Sequence, residues 1–241
     1  MTTNTTDRRA FLATLLSTLA IDQVRAQAAG LTISTNNTPL DRRALEELSR
    51  EALRRLGLSV NVVSLPSERS LYTANQGEID GEGLRVAGLS TTYPNLIQVP
   101  ERFIGISFVA FSNRLDIDLS QGWAALAPYR VAFINGWKMF EANATGARVV
   151  TKVEKPEQLF RMVDSGRIDL ALYTLADGLA LTRALGMDQA IKPVEPALKN
   201  VDMFLYLHRR HEALVPRLAQ TLRDMKADGS HARILATLKA G

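Results

Sequence analysis

A four-residue core, Gly-x-Ile-Asp, occurs twice in this chain, at Gly77-Glu78-Ile79-Asp80 and at Gly166-Arg167-Ile168-Asp169. Each copy follows a helix-like segment, Ser67 to Ala74 and Lys155 to Val163. Each leads toward apolar, strand-like sequence, more clearly after Asp169. The same physics fits both. Glycine reaches the left-handed conformation that closes a helix without a Cβ penalty. Isoleucine then enters a buried strand, and the aspartate stands where that strand begins to emerge. Two helix-Gly-strand units predict two similar α/β lobes. Two lobes make a cleft, a favoured place for a small ligand.

The flanking pattern repeats too. Leu31 to Ser34 alternates as a strand, and Asn36 to Pro39 is a turn cluster. Asp41 caps a helix to about Leu56, with Leu45, Leu48, Ala52, Leu53 and Leu56 on one face. Leu58 to Leu65 is a strand, Pro66-Ser67-Glu68 opens a short helix, and Ile79 starts the next strand. The order β-α-β-α-β recurs in the second half. Tyr129 to Ile134, a helix from Trp137, Arg148 to Val153, a helix from Lys155, and Ile168 to Tyr173 match it element by element. Ile104 to Ser112 is nearly continuous apolar sequence, which suits a strand buried on both faces. Asp202 to Leu207 has the same character. Two such strands, one leaving the first lobe and one returning, predict a two-strand hinge. Glu212 to Lys226 and Ser230 to Lys239 read as helices.

Residues 1–28 differ from the rest. A polar start is followed by Arg8-Arg9, an uncharged apolar run Ala10 to Ile21, and Ala26-Gln27-Ala28. This is the pattern of an export signal with a small-residue cleavage site. Asp7-Arg8-Arg9-Ala10-Phe11-Leu12 resembles the twin-arginine motif, with Asp7 in place of Ser or Thr. The expectation is a soluble protein in the periplasm. The formal charge of +4 is interspersed along the chain, and no basic run alternates with aromatics, so no nucleic-acid partner is expected. The absence of cysteine excludes disulfides, thiolate metal sites and cysteine nucleophiles.

In order along residues 31–241 stand Leu56-Gly57-Leu58-Ser59-Val60, Gln76-Gly77-Glu78-Ile79-Asp80-Gly81 and Gly166-Arg167-Ile168-Asp169-Leu170-Ala171. Phe204 to Leu207 and Met225-Lys226-Ala227-Asp228-Gly229-Ser230 close the series. Together they resemble the extracytoplasmic solute-binding proteins of the family-3, amino-acid type. The resemblance implies the type 2 periplasmic-binding-protein fold: two similar α/β lobes, 29–112 plus 200–241 and 115–199, joined by a two-strand hinge with the ligand cleft between them. It implies a monomer that delivers a small polar ligand to an ABC permease. The amino-acid binders carry an arginine for the ligand carboxylate where this chain has Thr92. They carry an aspartate for the ammonium where it has Thr174. An ordinary α-amino acid is therefore not implied.

The candidate site residues lie at strand ends and helix starts. Asn37 and Thr38 follow the first strand, as hydrogen-bond donors or as plain turn formers. Arg69 opens the second helix, facing the cleft or forming a surface ion pair. Glu82 and Arg85 follow the first Gly-x-Ile-Asp, where open α/β sheets place ligands. Arg85 is either a carboxylate fork or half of a salt bridge. Trp137 and Lys138 stand at a helix start, to stack on a ligand and pair with its charge, or to anchor the lobe and face water. Tyr173 and Thr174 end the second repeat strand. Asp177 reads either as a late substitute for the missing carboxylate or as a helix cap. Arg85 and Lys138 from opposite lobes would make the cleft cationic and suit a carboxylate ligand. No metal, cofactor or catalytic motif is expected; the chain reads as a binder and not an enzyme. Two other functions fit the same residues: a sensor module for a membrane receptor, or a dehydratase-like enzyme using Glu82 or Asp177. The export assignment has a direct test. The double substitution Arg8→Lys, Arg9→Lys is expected to hold the precursor in the cytoplasm, measured by fractionation. Normal periplasmic yield would contradict it.

Overall fold

The computed structural model describes residues 30–35 and 38–240. The N-terminal segment expected to be a signal, and Asn37, lie outside them. The first half runs β1 (Gly30–Thr35), α1 (Pro39–Arg55), β2 (Ser59–Ser64), α2 (Ser67–Gln76), β3 (Gly81–Arg85), β4 (Leu96–Gln98) and β5 (Ile104–Ser112). The second runs β6 (Arg130–Ile134), α3 (Lys138–Asn143), β7 (Val149–Val153), α4 (Pro156–Asp164), β8 (Leu170–Thr174) and α5 (Leu175–Ala184). The chain then passes through β9 (Lys192–His208) to α6 (Val215–Ala227) and α7 (Ser230–Ala240).

The strand order β2-β1-β3-β9-β5-β8-β6-β7 explains why two lobes form. In one lobe β1 lies between β2 and β3, all parallel. In the other β6 lies between β7 and β8, all parallel. Each trio ends on an antiparallel neighbour, β3 on β9 and β8 on β5. Strands β5 and β9 pair with each other from Ile104↔Met203 to Ser112↔Lys192 and so join the lobes. Strand β5 has the bounds its apolar run predicts, whereas only 202–207 of β9 is strand-like in sequence. Its first half carries Pro193, Pro196 and Lys199, which hide a strand pattern; pairing with β5 holds it extended. The helix that a capping Asp177 implies is α5, in which Thr174 holds the N-cap position and Asp177 lies in the first turn.

Helix α1 buries Leu45, Leu48, Ala52 and Leu53 as its spacing predicts, in one cluster with Leu31 and Ile33 of β1 and Leu218 and Leu222 of α6. Each fully buried leucine contributes about 2 kcal/mol. In the second lobe Phe160, Val163, Ile168 and Tyr173 form a second cluster, packed on Phe111 of β5.

The two Gly-x-Ile-Asp copies do the same work. Gly77 (φ 76°) and Gly166 (φ 68°) take the left-handed conformation after α2 and α4. Asp80 donates its N–H to the Thr32 carbonyl (2.9 Å) and its carboxylate accepts the Thr32 N–H (2.7 Å). Asp169 treats Arg130 the same way, at 2.8 Å for both bonds. Each aspartate thus clamps the central strand of its lobe, β1 or β6, at the edge of the ladder. Arg130 adds two guanidinium bonds to Asp169, from Nε at 3.1 Å and Nη2 at 2.8 Å. Those bonds, despite the opposing effect of burial, lower the Asp169 carboxyl to about 2. A depressed carboxyl stabilises the fold above its unfolded value near 4, and loses that contribution as pH falls toward 2. Solvent at Arg130 screens the ion pair, so Asp169→Ala is expected to cost about 1–2 kcal/mol of hydrogen bonding at neutral pH. Urea unfolding should show that difference shrinking as pH falls through this window. A midpoint equal to the parent's at pH 7 would contradict the clamp.

Candidate functional site

The loops that leave the carboxyl ends of the parallel strands face each other across β5 and β9. Between them lies a cleft of about 470 Å³. Ile106 and Phe108 of β5 and Met203 of β9 line it from the hinge. Leu71, Leu84, Val86 and Leu89 come from the first lobe, and Trp137, Met139 and Ala142 from the second. Polar groups are fewer: Thr38, Asp41, Glu68 and Arg85 from the first lobe, Lys138, Asn143 and Thr174 from the second.

Of the residues singled out in the sequence, Thr38, Arg85, Trp137, Lys138 and Thr174 come together here. Glu82 does not line the cleft. It is fully buried behind Arg85, whose Nε (2.7 Å) and Nη2 (2.6 Å) both reach its Oε1. Ser34 and Ser70 each donate to its Oε2 at 2.5 Å. Burial pushes the Glu82 carboxyl up, opposed by Arg85 and the two hydroxyls. Glu82 is thus the group that orients Arg85. The backbone aids this: Leu84 has φ 58°, and the β3–β9 register shifts between Glu82 and Arg85. A bulge of this kind re-aims the following side chain, and a left-handed non-glycine residue is strain stored at the site.

Arg69 is exposed and does not line the cleft. On α2 the cleft takes Glu68 and Leu71, three residues apart on one face, and Arg69 turns away from it. Tyr173 is buried and stacks on Trp137, ring centroids 5.0 Å apart at 15°, while Trp137 also stacks on Phe140 at 5.8 Å. Trp137 is thus packed within the second lobe and also lines the cleft. Lys138 is 72% exposed and lies 3.6 Å from Glu141. The expected cationic cleft is accordingly tempered: Arg85 is matched by Glu82, Lys138 by Glu141, and Glu68 is present as well.

The sequence did not show how Asp41 and Asp177 meet. Asp177 lies in the first turn of α5, yet its carboxylate crosses the lobes. It accepts the Leu40 N–H of α1 at 3.0 Å on Oδ1. It accepts the Thr38 hydroxyl at 2.5 Å and the Thr174 hydroxyl at 3.3 Å on Oδ2. Asp41 Oδ2 is 2.9 Å from the same Thr38 hydroxyl. Burial, then the Asp177 charge, pushes the Asp41 carboxyl up to about 7. Asp41 and Thr174 also line a second interlobe cavity of about 890 Å³ with Tyr173, Asp177 and α5. The cluster partitions the interlobe space. Among the described residues no three His, Asp or Glu side chains gather as a metal site, and no helix is long and apolar enough to cross a membrane.

The fold recurs in solved structures. The GluR0 ligand-binding core in complex with L-glutamate superposes with a TM-score of 0.74 at 10% identity, over 88% of this chain and 99% of that one. A histidine kinase sensor domain with similarity to periplasmic binding proteins gives 0.68 at 15% identity, over 88% and 96%. The fold is that of the type 2 periplasmic binding proteins. An ancestral arginine-binding protein bound to arginine gives 0.69 at 15% identity, over 87% and 98%. No family model matches the chain. An uncharacterized protein of Shewanella oneidensis is 25% identical over 201 residues, 81% of this chain and 75% of that protein. The type 2 fold implied by the sequence resemblance is thus present, with its hinge and its interlobe cleft.

Proposed function

We propose that the protein is an exported binding protein that closes its lobes, 29–112 with 200–241 and 115–199, over a small organic ligand and presents it to a membrane permease in the periplasm. The observation that carries this is the interlobe cleft, apolar on most of its wall, with Arg85 held toward it by a buried glutamate. A guanidinium fixed in this way suits a carboxylate, and the apolar wall suits a ligand with a hydrocarbon or aromatic body. Thr174 stands where amino-acid binders use an ammonium-binding aspartate, and the nearby Asp177 is turned to Leu40 and Thr38. Both features favour a carboxylate over a zwitterion. The GluR0 ligand-binding core and the ancestral arginine-binding protein share this fold, which supports a binder over an enzyme. A sensor role is the second reading, favoured by the histidine kinase sensor domain among them.

A thermal-shift screen of small carboxylates and amino acids supplies the ligand, since one at a hundred times its Kd adds about 2.7 kcal/mol of stability. Calorimetry with that ligand then tests the site. Arg85→Lys keeps a cation for Glu82 but loses the planar fork, and is expected to weaken binding at least tenfold, about 1.4 kcal/mol. Arg54→Ala, on the exposed end of α1, is expected to leave affinity unchanged. Equal affinities for Arg85→Lys and the parent would remove Arg85 from the site.

A further inference from the structure

We propose that Thr38, Asp41 and Asp177 form a proton-linked latch, so that closing the lobes takes up one proton on Asp41. Thr38 Oγ1 has a single hydrogen, yet it lies 2.9 Å from Asp41 Oδ2 and 2.5 Å from Asp177 Oδ2. With both carboxyls ionised, one of these contacts sets a hydroxyl lone pair against an anionic oxygen. With a proton on Asp41 both contacts are hydrogen bonds: Asp41 donates to Thr38, and Thr38 donates to Asp177. The other donors, Leu40 N–H and the Thr174 hydroxyl, converge on Asp177, which leaves the proton on Asp41.

The three groups come from both lobes. Thr38 and Asp41 belong to the start of α1, and Asp177 to α5. Opening removes Asp177 and admits water to Asp41 at a helix N-terminus, where a carboxylate is favoured; the proton then leaves. Other charged and titratable groups bound the same two cavities. Glu68 of α2, Arg85 of β3 and Lys138 of α3 face the cleft, and Arg43, Glu157 and Arg183 face the second cavity. Tyr173 stays neutral, since burial and the neighbouring acids raise it further. Burial and the Asp177 charge raise Asp41 itself into the neutral range, to about 7.

The sign follows from linkage. A carboxyl raised in the closed state favours closure fully below its open-state value near 4, and progressively less as pH rises toward 7. The closing equilibrium should fall roughly tenfold per pH unit between about 5 and 6.5 and flatten above about 7. The latch rests on the reading that the lobes open and close, so two readouts are needed. The chain has no cysteine, so Tyr72→Cys and Thr145→Cys, both at exposed positions of opposite lobes, accept a dye pair specifically. Energy transfer in ligand-free protein should report opening from pH 5 to pH 8. Asp41→Asn should abolish that dependence, because its amide donates to Thr38 at every pH. Carbon-detected NMR of the parent should show the Asp41 carboxyl titrating well above 4. Titration of Asp41 near 4 would overturn the latch whatever the lobes do. An unchanging interlobe distance with Asp41 titrating near 7 would overturn the hinge reading, and the linkage with it. Persistence of the pH dependence in Asp41→Asn would overturn the assignment to Asp41.

Discussion

The antiparallel pair β5–β9 is the element that both lobes share. Each parallel trio needs a neighbour on its inner side, and β9 and β5 provide it, so the lobes are two sheets continued through one seam. The rest follows from that seam. It sets the carboxyl ends of both trios face to face, which makes the cleft. It places Ile106, Phe108 and Met203 along the cleft from the hinge side. It also leaves the lobes connected by few strands, the arrangement that permits closure by hinge bending. Within each lobe the aspartate of the repeat holds the central strand's backbone with its own N–H and its carboxylate, at the edge of the ladder.

The charges in the cleft are arranged in compensated sets. Arg85 is offered to the cleft by a glutamate that costs burial and is repaid by two serine hydroxyls and the guanidinium. A buried charge pair of this kind contributes little net stability, yet removal of one partner is costly. Its value is that Arg85 is aimed before a ligand arrives, which lowers the ordering cost of binding. Asp41 and Asp177 are treated differently. They are like charges brought together, and what reconciles them is a proton.

The fold was legible in the sequence because its strongest signals are local. Gly77 and Gly166 end helices, Leu45 to Leu53 mark the buried face of α1, and the apolar run of β5 announces a strand buried on both sides. What remained hidden depends on contacts distant in sequence. The first half of β9 is extended only because β5 pairs with it. Asp177 caps α1, 137 residues away from Leu40, and nothing near either residue records that meeting. The site was legible in part for the same reason. Arg85, Trp137 and Thr174 stand at strand ends and helix starts, positions the topology turns toward the cleft. Arg69 lies one residue of helical rotation away from Glu68, which lines the cleft. Glu82 lies behind Arg85, three residues on, and the bulge between them is a long-range pairing feature that the local sequence does not show.

The central claim is that ligand binding closes the lobes about the β5–β9 seam. Small-angle scattering of the protein with and without saturating ligand tests it most directly. The account predicts a smaller radius of gyration in the bound state, with no change in mass. A bound protein whose radius is unchanged at calorimetric saturation, under conditions where the free protein is open, would contradict it.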